Sequence, residues 1–155
     1  MADIALVSTD NGFDLALDGL DLLRDDGLET AVFLSLFTNR RADPDQLPTE
    51  YRDGNLQGYW GDIAPPVEGD KFGSHLWLLE REKQTTSTLA RAKQYATDAL
   101  RWMVDDKISD RIDVATEYPL RGVIAIGVDI YQPRRDPSKY RYHFEWAAQA
   151  VKRVI

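Results

Sequence analysis

The stretch LARAKQYATDALRWMVDDKISDRIDVATEYPLRGVIAIGVDI, residues 89–130, decides the fold class, because its apolar period changes partway along. Leu89, Ala92, Ala96, Ala99, Leu100 and Met103 recur at spacings of three and four. That is the stripe of an amphipathic helix, and it must lie against something apolar. After Asp105-Asp106 the period falls to two: Ile112 and Val114 alternate with charge, then Ile124, Ile126, Val128 and Ile130 alternate with smaller or polar residues. Such alternation predicts half-buried strands, here joined by a turn near residues 119–122. Pro133 and Pro137 punctuate the next connection, after which Tyr140, Tyr142, Phe144 and Trp146 fall on one side of a third strand and Arg141, His143 and Glu145 on the other. The three strands are expected to form a meander. The tail from residue 147 to 155 fits a helical turn or an extended arm.

Upstream, residues 3–8 and 13–17 alternate polar and apolar around Asp10-Asn11-Gly12, a turn sequence that supplies positive φ, so two short strands are predicted. Asp25 and Asp26 stand where a carboxylate can cap free amides, Glu29 suits a first turn, and Leu28, Val32 and Leu36 form one stripe; a helix is predicted over about 27–37. From residue 39 to 73 the pattern dissolves into Asp, Pro and Gly with isolated aromatics, a connection too long to lack a job. A second helical region is expected near Gly73, with Leu76, Trp77 and Leu79, and Thr85, Thr86 or Ser87 would cap the helix that follows. No internal repeat is evident. The economical architecture is α+β: a single domain over residues 1–155, a small, mostly antiparallel sheet packed by two or three helices, with a long loop at about 39–73.

Composition narrows function. The 155 residues and 43% apolar content suffice for one core, and the absence of cysteine excludes disulfides, thiolate zinc sites and thiol catalysis. A net charge of −7 argues against nucleic acid as a partner. No secretory signal or membrane-spanning run is evident, so a soluble protein is expected, with no membrane partner, no cofactor, no metal and no small-molecule ligand. The acidic set Asp14, Asp18, Asp21, Asp25 and Asp26 lacks a calcium-loop pattern and reads as a solvated face, and His75 and His143 lie too far apart to suggest a zinc pair.

Four segments taken in order carry a resemblance: Gly27-Leu28-Glu29-Thr30-Ala31, Leu36-Phe37-Thr38-Asn39-Arg40-Arg41-Ala42, Gly58-Tyr59-Trp60-Gly61-Asp62 and Ser74-His75-Leu76-Trp77-Leu78-Leu79. Their order and spacing resemble the Mu-like bacteriophage tail protein family. The resemblance implies the Mu counterpart of the T-even baseplate wedge protein once called lysozyme-like, with a fold similar to the handshake domain of contractile tail sheath subunits. It implies a structural subunit made in the host cytoplasm and located in the virion tail baseplate, with other wedge proteins and sheath or tube-proximal subunits as partners. Such proteins carry a Glu-Pro-Arg-type docking motif after the first helix. Here Thr38-Asn39-Arg40-Arg41 stands in its place, so only the arginine carries over, onto Arg40 or Arg41.

Those two arginines either complement the helix C-terminus or fork onto a carboxylate or helix end of a partner. Tyr59 and Trp60 either fold back onto the core or anchor an interface. Tyr140, Tyr142 and Phe144 are partner-binding candidates on the expectation that their strand, or the one at residues 3–8, leaves a sheet edge open to strand addition. Trp77 and Trp102 are expected in the core. A competing enzymatic reading is a tail-associated glycoside hydrolase acting on the cell wall, with Glu80 and Glu82 beside Trp77; alternate positions on a helix do not face each other, which weakens that pair.

Overall fold

In the computed structural model, residues 3–9, 12–25, 27–47, 49, 54–145 and 150–154 are described. The strands are β1 (Asp3–Ile4), β2 (Leu6–Thr9), β3 (Gly12–Leu15), β4 (Leu17–Asp18), β5 (Asp21–Leu22), β6 (Arg24–Asp25), β7 (Arg111–Leu120), β8 (Val123–Tyr131), β9 (Ser138–Glu145) and β10 (Ala150–Arg153). The helices are α1 (Glu29–Phe37), α2 (Thr86–Leu100) and α3 (Trp102–Asp105). Strands β7 to β10 form one antiparallel sheet in the order β10-β9-β8-β7. The α+β class is as expected.

The period-two reading of the sheet holds residue by residue. Along β8, Ile124, Ile126, Val128 and Ile130 are buried while their neighbours are half-buried. Register sets Val128 between Val114 and Tyr140, and Ile126 between Thr116 and Tyr142, so one sheet face presents a continuous apolar surface. Onto it α1 presents Leu28, Val32 and Leu36, and α2 presents Ala92, Ala96 and Leu100. The small alanines bring α2 close enough to β7 for Thr116 Oγ1 to donate to Leu89 O (3.0 Å) and Tyr118 OH to Thr85 O (3.3 Å).

Local chemistry sets the ends of the helices. Asp25 accepts from Gly27 N and Thr30 N, both at 2.8 Å, and so serves the amides at the start of α1; Asp26 lies outside the described residues. Of the three hydroxyls offered as caps for α2, Thr85 is the one that accepts from the third residue on, Thr88 N, at 3.1 Å. The long helix does not run straight to Met103. It stops at Leu100, Arg101 bonds back to Asp98 O (3.4 Å), and the short α3 follows. Lys107 then takes φ 60°, and Ile108 N and Ser109 N both bond Met103 O, closing the helical region where Asp105-Asp106 predicted.

Several expectations are corrected. The helical region near Gly73 is only a 3-10 turn, Leu76–Leu79. The tail is extended: β10 joins β9, so the meander has a fourth strand, and Trp146 and Ala147 lie outside the described residues. Trp102, half-buried, packs against the core as expected, with its indole N–H on Ser35 Oγ at 3.2 Å, whereas Trp77 is half-buried outside the core cluster, its indole N–H donating to Arg40 O at 2.8 Å.

The N-terminal region departs most. The two expected strands pair as β2 with β3, Asp10 and Asn11 lying outside the described residues, but the described residues between 3 and 25 add two further short ribbons, β4 with β5 and β1 with β6. They meet at a closed ring of hydrogen bonds: Ala16 N to Ala5 O (3.1 Å), Leu23 N to Ala16 O (2.8 Å) and Ala5 N to Leu23 O (2.8 Å). Each strand therefore splits its pairing between the other two. The three strands carry a short repeat that the sequence reading missed, Asp3-Ile4-Ala5, Asp14-Leu15-Ala16 and Asp21-Leu22-Leu23. Phe13 anchors one arm on Phe33 of α1, ring centroids 4.0 Å apart, and Thr30 Oγ1 donates to Ile4 O (2.9 Å) at another.

Candidate functional site

Helix α1 ends at Phe37, and Thr38 turns extended while still donating to Leu34 O (3.1 Å). The chain then crosses residues 73–74. Ser74 N donates to Thr38 O and Arg40 N to Ser74 O, each at 2.9 Å, making an isolated parallel bridge between Asn39 and Ser74. Gly73 has φ +92°, and a Cβ there would stand 2.3 Å from Thr38 O, so only glycine admits this crossing. Trp77 Nε1 donates to Arg40 O (2.8 Å), His75 Nε2 bonds Arg41 O (3.1 Å), and Ser74 Oγ donates to Leu36 O. The segment Ser74-His75-Leu76-Trp77 is thus a clamp that fixes the backbone of Arg40 and Arg41. Sequence reasoning singled out these residues for their order alone. It had no signal for their reach across more than thirty positions to residues 36–41.

Fixing the backbone leaves the Arg41 side chain exposed. Arg41, Gln57, Tyr59, Trp60, Asp62 and Lys71 line a cleft of about 420 Å³. Arg41 Nη1 donates to Gln57 O (3.4 Å), Asn39 Nδ2 donates to Gln57 Oε1, and Ala42 N donates to Leu56 O (3.1 Å), which ties the far side of the long loop to the arginines. Gly58 packs directly on Arg41. Asp62 accepts from Phe72 N (3.1 Å) through Oδ1, while its buried Oδ2 has no partner among the described residues.

Neither member of the aromatic pair folds back onto the core cluster. Tyr59, 37% exposed, packs on Phe72, ring centroids 5.4 Å apart, and on Trp60 at 5.3 Å. Trp60 is 78% exposed and Ile63, on the same 3-10 turn (Trp60–Ile63), is 89% exposed. An apolar knob therefore stands beside two cations, Arg41 and Lys71, and that combination suits a partner surface with an apolar socket and an acidic rim. The last turn of α1 contains no basic residue, and neither arginine makes an ion pair with a described residue.

The predicted strand-addition site is not where the sequence suggested. Strand β9 is paired on both sides, by β8 and β10, and Tyr140 and Tyr142 are core residues, 8% and 1% exposed. Phe144 packs half-buried on Phe37, ring centroids 6.1 Å apart. These side chains reach a partner only if the sheet opens. Nor do residues 3–8 belong to the sheet. Its two margins are β7 and β10, and neither has a backbone partner on its outer side among the described residues. Of the enzymatic pair, Glu82 is held by Arg91 and Thr88, and Glu80 is the residue that ends the 3-10 turn.

Beneath the sheet margin, Tyr140 OH accepts from Leu28 N (3.2 Å), and Arg153 bridges to Glu29 (2.8 Å). Burial holds the Glu29 carboxyl above its ordinary range, opposed by the Arg153 guanidinium. Burial, with Glu29 close by, likewise raises Tyr142.

Residues 28–137, which run from α1 through β8, match the family described as Phage protein GP46. Over 152 residues the chain is 40% identical to "Baseplate protein gp46" of Escherichia phage Mu, covering 97% of this chain and 100% of the relative. Over 147 residues it is 31% identical to "Mu-like prophage FluMu protein gp46" of Haemophilus influenzae, covering 95% and 99%. The chain belongs to the GP46 family of phage proteins, the Mu-like family that its four motifs resemble.

Proposed function

We propose that this chain is a structural, non-catalytic subunit of a contractile phage tail baseplate, located in the virion tail, that docks on the core bundle of the wedge and helps to start the sheath. The 40% identity to a relative named as a baseplate protein supports the baseplate role. The observation that carries docking is the convergence of Arg41, Tyr59 and Trp60 on one cleft, with Trp60 exposed and the arginine backbone clamped. Burying an exposed tryptophan next to a guanidinium that forks onto carboxylate oxygens is a common source of interface energy. A rigid backbone lowers the entropy lost on binding. Arg40, half-buried on the same clamp, is the second candidate for the motif's arginine.

Sheath initiation would use the sheet. On this reading a sheath arm adds a strand along β7, ten residues long, in the manner of the handshake fold, while Tyr140, Tyr142 and Phe144 act from within by holding β9 rigid. The whole chain, 1–155, works as one unit in this scheme.

The test is co-expression of the full chain with the other tail genes, followed by native mass spectrometry. Arg41→Glu and Trp60→Ala are expected to lose baseplate association while keeping the far-ultraviolet circular dichroism and thermal midpoint of the parent. A Pro placed at Val114 of β7 would damage the fold, so Asp113→Pro on the solvent face is the milder probe of strand addition. Normal wedge assembly by both cleft variants would overturn docking, and release of sugar fragments from peptidoglycan by the pure chain would favour the hydrolase.

A further inference from the structure

The three-armed ribbon of residues 3–25 is not used by the docking cleft or by the sheet margin. Ala5, Ala16 and Leu23 turn their hydrogen bonds inward to the ring, so the preceding residue of each strand turns its N–H to the outer edge. All three of those amides are covered in the same way: Asp3 accepts from Ile4 N (2.8 Å), Asp14 from Leu15 N (2.7 Å) and Asp21 from Leu22 N (2.8 Å). A carboxylate on each edge opposes strand addition there and places negative charge around the rim.

The register sorts the side chains between the two faces. Leu6 pairs with Leu15, Leu17 with Leu22 and Ile4 with Arg24, so these residues share one face, and the aspartates share the other. Phe13 fastens the β2–β3 arm of the apolar face to α1, but the arm formed by β4 and β5 projects, with Leu17 70% exposed and Leu20 at its tip fully exposed, and Leu15, at the end of β3 where this arm begins, is 51% exposed. Contiguous exposed leucines of this kind mark an interaction surface.

We propose that this projecting arm is a docking surface for a basic amphipathic segment of a partner protein, whose apolar side chains cover Leu15, Leu17 and Leu20 while its lysines or arginines meet the carboxylate rim. The partner's sign follows from the charge of residues 3–25, six aspartates to one arginine. The same excess repels an anionic membrane and a nucleic-acid backbone. This proposal stands on residues other than those of the cleft and does not depend on the baseplate reading.

The experiment titrates the purified full chain into a fluorescent synthetic helix with leucine on one face and lysine on the other, alongside a counterpart with glutamate for lysine and vesicles of phosphatidylcholine and phosphatidylglycerol. The lysine helix should bind, more weakly as salt rises, and Leu17→Ser/Leu20→Ser should lower affinity by about tenfold or more. Both leucines are solvent-exposed, so the variant keeps the parent's thermal midpoint, and a shifted midpoint would show that these side chains support the fold instead. Asp14→Asn/Asp21→Asn should weaken binding and flatten its salt dependence. Absence of binding, equal binding of the glutamate helix, unchanged affinity in the leucine variant, partition into the vesicles, or a dimer that dissolves in the leucine variant would each overturn the proposal.

Discussion

Replacing Gly73 with alanine probes the crossing on which the arginine clamp depends. Gly73 sits at φ +92°, where an L side chain is strained by about 1–2 kcal/mol. A Cβ there would meet Thr38 O at 2.3 Å, so the two segments must separate by on the order of 1 Å to restore van der Waals distance. That movement breaks the pair Ser74 N to Thr38 O and Arg40 N to Ser74 O, each 2.9 Å, worth about 1 kcal/mol apiece. The expected loss is about 3–4 kcal/mol, summed from these contributions. Gly69 supplies the control: its φ is +80°, but nothing lies within 4 Å of the added Cβ, so Gly69→Ala should lose only the backbone strain. Urea unfolding followed by tryptophan fluorescence measures both, with unchanged slope in denaturant confirming comparable end states. Equal losses for the two variants would refute the reasoning, since the crossing would then contribute nothing beyond local backbone strain.

Other substitutions test separate links. Thr85→Ala removes the hydroxyl that accepts from Thr88 N and should cost about 1 kcal/mol, read from the urea midpoint. Leu36, 1% exposed between α1 and the sheet, should cost about 2–5 kcal/mol on truncation to alanine, and a smaller loss would mean that the core collapses around the gap. Glu29 gives a pH signature: burial raises its folded-state pKa, so its contribution is fully present below the ordinary value of 4.5 and is lost as pH rises through the folded value. The stability of the parent relative to Glu29→Gln should therefore fall as pH rises from acid toward neutrality, and a difference that grows with pH would show that the bridge to Arg153 outweighs burial.

Sequence by itself determined the elements whose apolar period is long and unambiguous. Ile124, Ile126, Val128 and Ile130 must share a face of any strand, and Ala92, Ala96 and Leu100 a face of any helix, so the sheet, α2 and the α+β class were legible. The arginines after α1 and the aromatics at 59–60 were legible as candidates from residue type and order. Tertiary structure alone decided what they do. The packing of Tyr59 under Trp60 depends on Phe72, and the fixed backbone of Arg40 and Arg41 depends on Trp77 and His75, contacts between residues far apart in the chain that no local period encodes. For the same reason the extended conformation of residues 150–153, and with it the burial of β9 and the transfer of that edge of the sheet to β10, could not be read from residues 147–155. A short apolar segment fits helix and strand equally until a neighbouring edge offers it hydrogen bonds.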